Sequence, residues 1–412
     1  MDKHSFNIHF SEHENPYIKK AVHNVFCNFE YFLTYNSYPI LSKDIYLDDS
    51  KETTLFLSKE FRYLLLGKHF KHELWFKNKA LLIENDTEDY LGTCFYMINS
   101  LQEYAPTEMD FLGRFPQEKS YQEKFACYEK NLVLEYFQEL ALQIFGEKIP
   151  LKKSSYFLSH DIDFVNSGWK DELKNALYNF KIKESFRVLK KRIAGKDSWQ
   201  NIEEIIKMES EQEIPSTFFW LACSGNTKYP KVKNADYRLS DSYIRKCMQI
   251  IEASSLHENG IHKAINSRSF KDEKIEFSDF QITKNRYHYL SFSLTKDYPK
   301  LEEAKLAYEC SLGFSKKIGF RNSYGLPFKA MNPISFEQYS FVSLPLHLMD
   351  SSLYYYMKCD SSEKIIEQIE KFIQNNENSV VIGLCMHNNF FEKKTYKKLL
   401  LLLKNYVDYS RK

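Results

Sequence analysis

The sequence predicts an α/β protein: a (β/α) barrel over residues 151–412, preceded by a smaller mixed α+β domain over residues 1–150. Two observations carry this expectation. Beyond residue 150, short apolar or aromatic runs alternate with amphipathic stretches, the pattern of βα units and a parallel sheet. The chain left there is close to the ~250 residues usual for such a barrel.

The elements follow in order. TEDYLGTCFYMINSLQEYA (87–105) reads as a helix with Thr87 as N-cap and Tyr90, Cys94, Met97 and Leu101 on one stripe. SYQEKFACYEKNLVLEYFQELALQIFGEK (120–148) reads as a longer helix that stops at a glycine. The basic, proline-bearing KIPLKKSS (148–155) reads as a junction. Strands are expected at YFLSH (156–160), STFFWLA (216–222), SFVSLPL (340–346) and SVVIGLCMH (379–387). Between them IEEIIKMESEQEI (202–214), DSYIRKCMQIIEASS (241–255) and EKIIEQIEKFIQNNE (363–377) carry helical periodicity. In a βα barrel the chemistry sits where strands end, and YFLSHDID (156–163) and SVVIGLCMHNN (379–389) both turn polar there.

Composition excludes some classes. The chain is 43% hydrophobic and 27% charged, ordinary for a globular protein. A net charge of +2 with interleaved signs gives nucleic acid no footprint. The 16% aromatic content reads first as core packing and second as a sugar-stacking surface. Eight scattered cysteines form no CxxC pair, so free thiols in a reducing compartment are expected. The N-terminal stretch lacks a signal-peptide core, and no apolar run is long enough to cross a bilayer. The expectation is a cytoplasmic protein.

Four segments carry candidate chemistry. In HDID, strand periodicity puts Asp161 and Asp163 on one face with Ile162 opposite. Adjacent carboxylates both stay ionised only beside a cation, whether a metal, Arg or Lys; the ordinary explanation is a surface turn. In LHENGIHKAINS, His262 and Asn266 are four apart, which on a helix or tight turn brings them to one face. A solvated loop histidine is the plain alternative. Arg286, flanked by aromatics in NRYHYLSF, would need a carboxylate partner if buried, and Asp161 needs a cation. His387 ends an apolar strand, where it can be a satisfied core histidine or an acid/base group.

These four segments, in this order, resemble the polysaccharide deacetylase superfamily, also called carbohydrate esterase family four. STFFWLA, HENGIH, RYHYLSFSL, YECSLGFSKKIGFRNSYGLPF and LPLHLMDSSL are similar to a subgroup found with bacterial surface-polysaccharide genes. In that subgroup a further N-terminal domain precedes the barrel, and DFLGRFP (110–116) is similar to part of it. The resemblance implies a distorted barrel and metal-dependent removal of acetyl groups from amino sugars. It implies Asp161 as catalytic base, Arg286 as the residue holding that base, and His387 as the acid that protonates the departing amine. It implies Asp163, His262 and Asn266 at the metal positions. The implied cofactor is a divalent metal, zinc first. The implied partners are an N-acetylated sugar or oligosaccharide and the polysaccharide-assembly machinery.

Asn266 stands where the family has its second metal histidine, and an amide is a poor zinc ligand. Three outcomes are open: Asn266 binds a harder metal through its oxygen, His160, His257 or His288 fills in, or the site is empty. HDID also replaces the adjacent aspartates of many members. Two other functions compete. One is a deacetylase-like protein without turnover, binding glycan or serving as a scaffold. The other is a haloacid-dehalogenase-type phosphatase with Asp161 as nucleophile.

Overall fold

The computed structural model describes residues 6–40, 42–47, 55–178, 180–193, 195, 197–266 and 268–409. The chain divides into two compact units, one of Met1–Ser155, Phe292–His347 and Phe372–Ile382, the other of Tyr156–Ser291, Leu348–Lys371 and Gly383–Lys412.

The first unit is built on helices. Pro16–Tyr35 starts with Pro at its first turn, and the Asn15 side chain accepts the Tyr17 amide. Its Phe29 ring meets Phe137 of helix Leu132–Phe145 edge-on at 5.2 Å. The helix expected over 87–105 is shorter: Thr87–Asp89 is a strand and the helix runs Tyr90–Ile98. Its cap is Asp89, whose carboxylate accepts the Gly92 amide and the Ser58 hydroxyl, so Thr87 has no capping role. The stretch 120–148 is two helices, Tyr121–Lys124 and Leu132–Phe145. Ala126 at φ 49° breaks the first, and the Asn131 side chain caps the second. Gly146 at φ 79° ends it. Of SFVSLPL only Val342–Ser343 is a strand, paired with Tyr308–Glu309; Pro345, which lacks an amide donor, follows closely.

The second unit is mixed α/β and centred on a parallel sheet. The strands lying wholly or mainly in it are β1 (Ser155–Ile162), β2 (Ser216–Leu221), β3 (His257–Lys263), β4 (Lys284–Tyr287), β5 (Leu348–Met349) and β6 (Val381–His387), in the order β4-β3-β2-β1-β6-β5. The pairs β1–β2, β2–β3, β3–β4 and β5–β6 are parallel. Helices α1 (Gly168–Tyr178), α2 (Ile182–Ile193), α3 (Ile202–Ser210), α4 (Ser242–Glu252), α5 (Phe270–Ile275), α6 (Ser362–Asn375) and α7 (Lys393–Leu403) connect or follow these strands. HENGIH, open to a helical reading from its spacing, is strand β3. Both β1 and β2 are buried along their whole length, which accounts for their near-continuous apolar and aromatic sequence. All eight cysteines are free thiols. Among the described residues no helix is long and apolar enough to cross a membrane.

Candidate metal centre

The period of two along β1 turns Ser159 and Asp161 to one face and His160 to the other. Asp163 follows the strand end. The loop beyond it is fixed because the Val165 and Asn166 amides donate to the two carboxylate oxygens of Asp236, at 2.7 and 3.0 Å. The Tyr237 hydroxyl ties two strand ends, donating to the Ile162 carbonyl and accepting the Leu221 amide. Across the sheet, His262 on β3 stands in register with Arg286 on β4. His288 lies two residues beyond Arg286. The turn that follows it places Tyr289 and Leu290 at φ 56° and 50°, a left-handed pair costly for non-glycine residues.

Three side chains converge here. Asp163 Oδ1 is 3.3 Å from His262 Nε2 and 3.3 Å from His288 Nδ1, and those two nitrogens are 3.1 Å apart. Each imidazole is oriented by its other nitrogen. His262 Nδ1–H donates to the Arg286 carbonyl at 3.0 Å, and His288 Nε2–H donates to the Lys233 carbonyl at 2.9 Å. The facing nitrogens of the neutral rings are therefore lone-pair acceptors, as in metal-ligating histidines. Asp163 Oδ1 is buried and finds no hydrogen-bond donor among the described residues. Three acceptors at this separation, without a proton among them, repel unless a cation joins them. A tetrahedral ion with nitrogen and oxygen ligands at 2.0–2.2 Å keeps its ligand atoms roughly 3.3 Å apart. The residues fit a divalent metal, and a N,N,O donor set suits zinc or a neighbouring first-row ion. Burial opposes ionisation of Asp163; positive charge on the imidazoles around it, His288 first, would hold its carboxyl well below the usual range, and with His262 and His288 neutral that part falls to the cation they would share.

Beside this cluster lie two charge pairs. Asp161 Oδ1 accepts from Arg286 Nη1 at 3.0 Å, and its other oxygen is 3.7 Å from His262 Nε2. The guanidinium also donates to Ser159 Oγ and lies over the Phe219 ring, 4.7 Å from its centroid. Both partners are buried. Burial works against the Asp161 carboxylate, and Arg286 leads the groups that nevertheless keep its pKa low. His387 at the end of β6 donates Nδ1–H to Asp350 Oδ1 at 2.5 Å, and its backbone amide holds the other oxygen at 2.7 Å. Burial would lower the imidazolium pKa, but Asp350 outweighs it and lifts His387 to about 10. Its free Nε2 is 3.7 Å from Asp163 Oδ2. Asp161, Cys385 and His387 form a second group of metal-ligating types, but burial pushes the Cys385 thiol well above its ordinary value. That thiol is a poor ligand beside the His–His–Asp set.

The structure thus brings Asp161, Asp163, His262, Arg286 and His387 together. Asn266 is engaged elsewhere. Its oxygen accepts from Lys263 Nζ at 3.2 Å and from the Arg268 amide at 2.9 Å, while its nitrogen donates to Glu273 Oε1 at 2.9 Å. His160 and His257 flank Glu209 instead, with His160 Nε2–H donating to Glu209 Oε1 at 2.8 Å. Of the residues open as the third ligand, His288 is the one beside Asp163 and His262. Sequence reasoning gave Asp350 no part; its signal was an acid closing the short run LHLMD.

The class defined here is a mixed α/β protein whose parallel sheet gathers a two-histidine, one-aspartate cluster beside an Asp–Arg and a His–Asp pair. A family model described as "Family of unknown function (DUF7033)" matches residues 6–150. No curated protein matches the chain significantly. Among solved structures, one similar chain is the "putative polysaccharide deacetylase from Mycobacterium smegmatis", at 10% identity and a TM-score of 0.38, with 64% of this chain and 93% of that one covered.

Proposed function

We propose that this protein is a metal-dependent hydrolase that removes an N-acetyl group from an amino sugar of a bacterial surface polysaccharide or its precursor. The proposal takes residues 151–412 as a distorted deacetylase-type barrel and residues 1–150 as an accompanying domain. One observation carries it: Asp163, His262 and His288 turn three lone pairs to one point, the two imidazoles anchored through their other nitrogens, with a carboxylate and an imidazolium close by. Asp163, His262 and His288 would hold a divalent ion, which would supply Lewis-acid polarisation of the acetyl carbonyl and a more acidic water. Asp161 is the base that takes the proton of the attacking water, and Arg286 keeps it ionised and oriented. His387 is the acid, because an amide nitrogen leaves only as the amine. Its Nδ1–H is held by Asp350, so Nε2 is the atom that hands over the proton. Water and acetamide become acetate and a free amine.

The test is metal analysis together with acetate release from N-acetylated saccharide precursors, with Asp161→Asn and His387→Ala as controls. One divalent ion per chain and release abolished in both variants is the expected result. Full metal occupancy with no release from any N-acetylated class would replace the hydrolase with a glycan-binding protein.

A further inference from the structure

The α1–α2 hairpin carries a surface that the proposed chemistry leaves unused. Along α2, Ile182, Phe186, Leu189 and Ile193 recur at intervals of four, three and four, which stacks them on one stripe of the helix. A soluble protein ordinarily turns such a stripe inward. Here the helix buries the smaller Ser185 and Val188, while Ile182 is 68% exposed, Phe186 69% and Ile193 88%. The turn that leads into α2 is apolar and exposed as well: Tyr178 is 83% exposed, and Phe180, in a left-handed conformation at φ 56°, is 90% exposed. A contiguous apolar ridge of this size marks an interaction surface.

Charge decides what covers it. Lys183, Arg187 and Lys190 are exposed on one flank of the stripe and form no ion pair among the described residues. Lys181 at the helix start is matched by Glu184 at 3.4 Å. An apolar ridge edged by unpaired cations is the pattern of a helix lying in the interface of an anionic bilayer. A second copy of this chain would set the same cationic flank against its own kind. At 11 and 12 residues the two helices are too short to span a bilayer, so the hairpin can only lie on it. The hairpin lies near the site: Tyr355, which feels the charge of Asp171 on α1, meets Phe390 edge-on at 5.6 Å, and Phe390 meets the His387 ring edge-on at 6.0 Å.

We propose that the α1–α2 hairpin docks this protein on an anionic lipid surface, with Phe180 and the Ile182–Ile193 stripe in the acyl boundary and Lys183, Arg187 and Lys190 on the headgroups. The inference is independent of the deacetylase reading. The test is co-flotation of the full chain with phosphatidylcholine vesicles made with or without phosphatidylglycerol. The wild type is expected to float with the anionic vesicles and to partition roughly tenfold less onto neutral ones or at high salt. Phe180→Ser combined with Phe186→Ser and Ile193→Ser is expected to lower partitioning at least about tenfold. A separate Lys183→Glu, Arg187→Glu, Lys190→Glu protein, also altered only at exposed positions, should lose the anionic preference. Leu74→Ser, an exposed apolar residue elsewhere, should float like the wild type. A wild type that stays with the soluble fraction in both vesicle types overturns the proposal. So does a serine triple variant that floats undiminished. Concentration-dependent self-association that the serine variant abolishes, without flotation, would assign the ridge to a second copy.

Discussion

His288 carries more of the argument than its place in the sequence suggests. Asp161, Asp163 and His387 sit in segments whose pattern announced a strand end, whereas His262 and Arg286 were legible by residue type and by the family resemblance and not as strand residues. That His288 and not Asn266 stands against Asp163 was not legible, because a residue just past β4 and one in the loop after β3 compete for one point that only the fold defines. The two residues predict different losses. His288→Ala removes one of the three proposed ligands, and metal bound per chain should fall from one to well below one in elemental analysis. Asn266→Ala should keep its metal and instead loosen the Lys263–Glu273 pair; equal metal loss in both variants would return Asn266 to the ligand set. Asp350 governs the neighbouring acid. Because Asp350 raises the His387 pKa, Asp350→Asn lowers it, and the acid form is then lost at lower pH. The alkaline limb of kcat/KM should move toward neutrality while the acid limb, set by Asp161, stays in place. An alkaline limb that does not move would mean that His387 is not the proton donor.

At the scale of elements the sequence was most informative where burial is two-sided. The runs of β1, β2 and β6 are apolar enough to be recognised alone, and the helices α3, α4 and α6 declare themselves by period. It failed where a single residue reset the backbone. Ala126 in a left-handed conformation cut one expected helix, and Asp89 rather than Thr87 began another. Nor could it show why β3 contains a glycine. Gly260 is paired in register with Phe219, and a Cβ there would lie 2.6 Å from the Phe219 ring. That ring is the platform under the Arg286 guanidinium. Gly260→Ala must therefore displace Phe219 and, through it, the arginine that orients Asp161. Overpacking of this kind costs about 1–3 kcal/mol. The expected outcome is a lower urea midpoint together with a kcat loss at unchanged metal content. A variant with wild-type stability and turnover would show that the ring has room to move.

For the molecule as a whole, the buried titratable groups set the direction in which stability changes with pH. Asp161 and Glu209 are buried, yet their neighbours, Arg286 beside the first and His160 beside the second, hold their pKa values below the ordinary carboxylate range. Their contribution is present above the unfolded carboxylate pKa and is lost as pH falls through the depressed folded value. His257 and His347 are lowered by burial, His347 to about 3. A histidine depressed in the folded state contributes fully above its unfolded pKa of about 6.5 and loses that contribution as pH falls. Both kinds of group therefore act on the acid side, while His387, raised to about 10, contributes below its unfolded pKa and loses its share as pH rises toward 10. His347 isolates the histidine part of the acid effect, since it lies in the first unit with its ring against Phe320 and Phe372, at 4.7 and 6.2 Å between centroids. Protonating it in the unfolded chain alone costs stability at about 1.4 kcal/mol per pH unit below about 6.5. His347→Leu keeps an apolar body of similar size and removes that titration. Between pH 7 and 4, urea unfolding of the wild type should lose roughly 3 kcal/mol more than the variant loses, whatever the offset between them at pH 7. Parallel losses across that interval would mean that His347 accepts its proton in the folded protein, and the acid sensitivity would then belong to the carboxylates and His257.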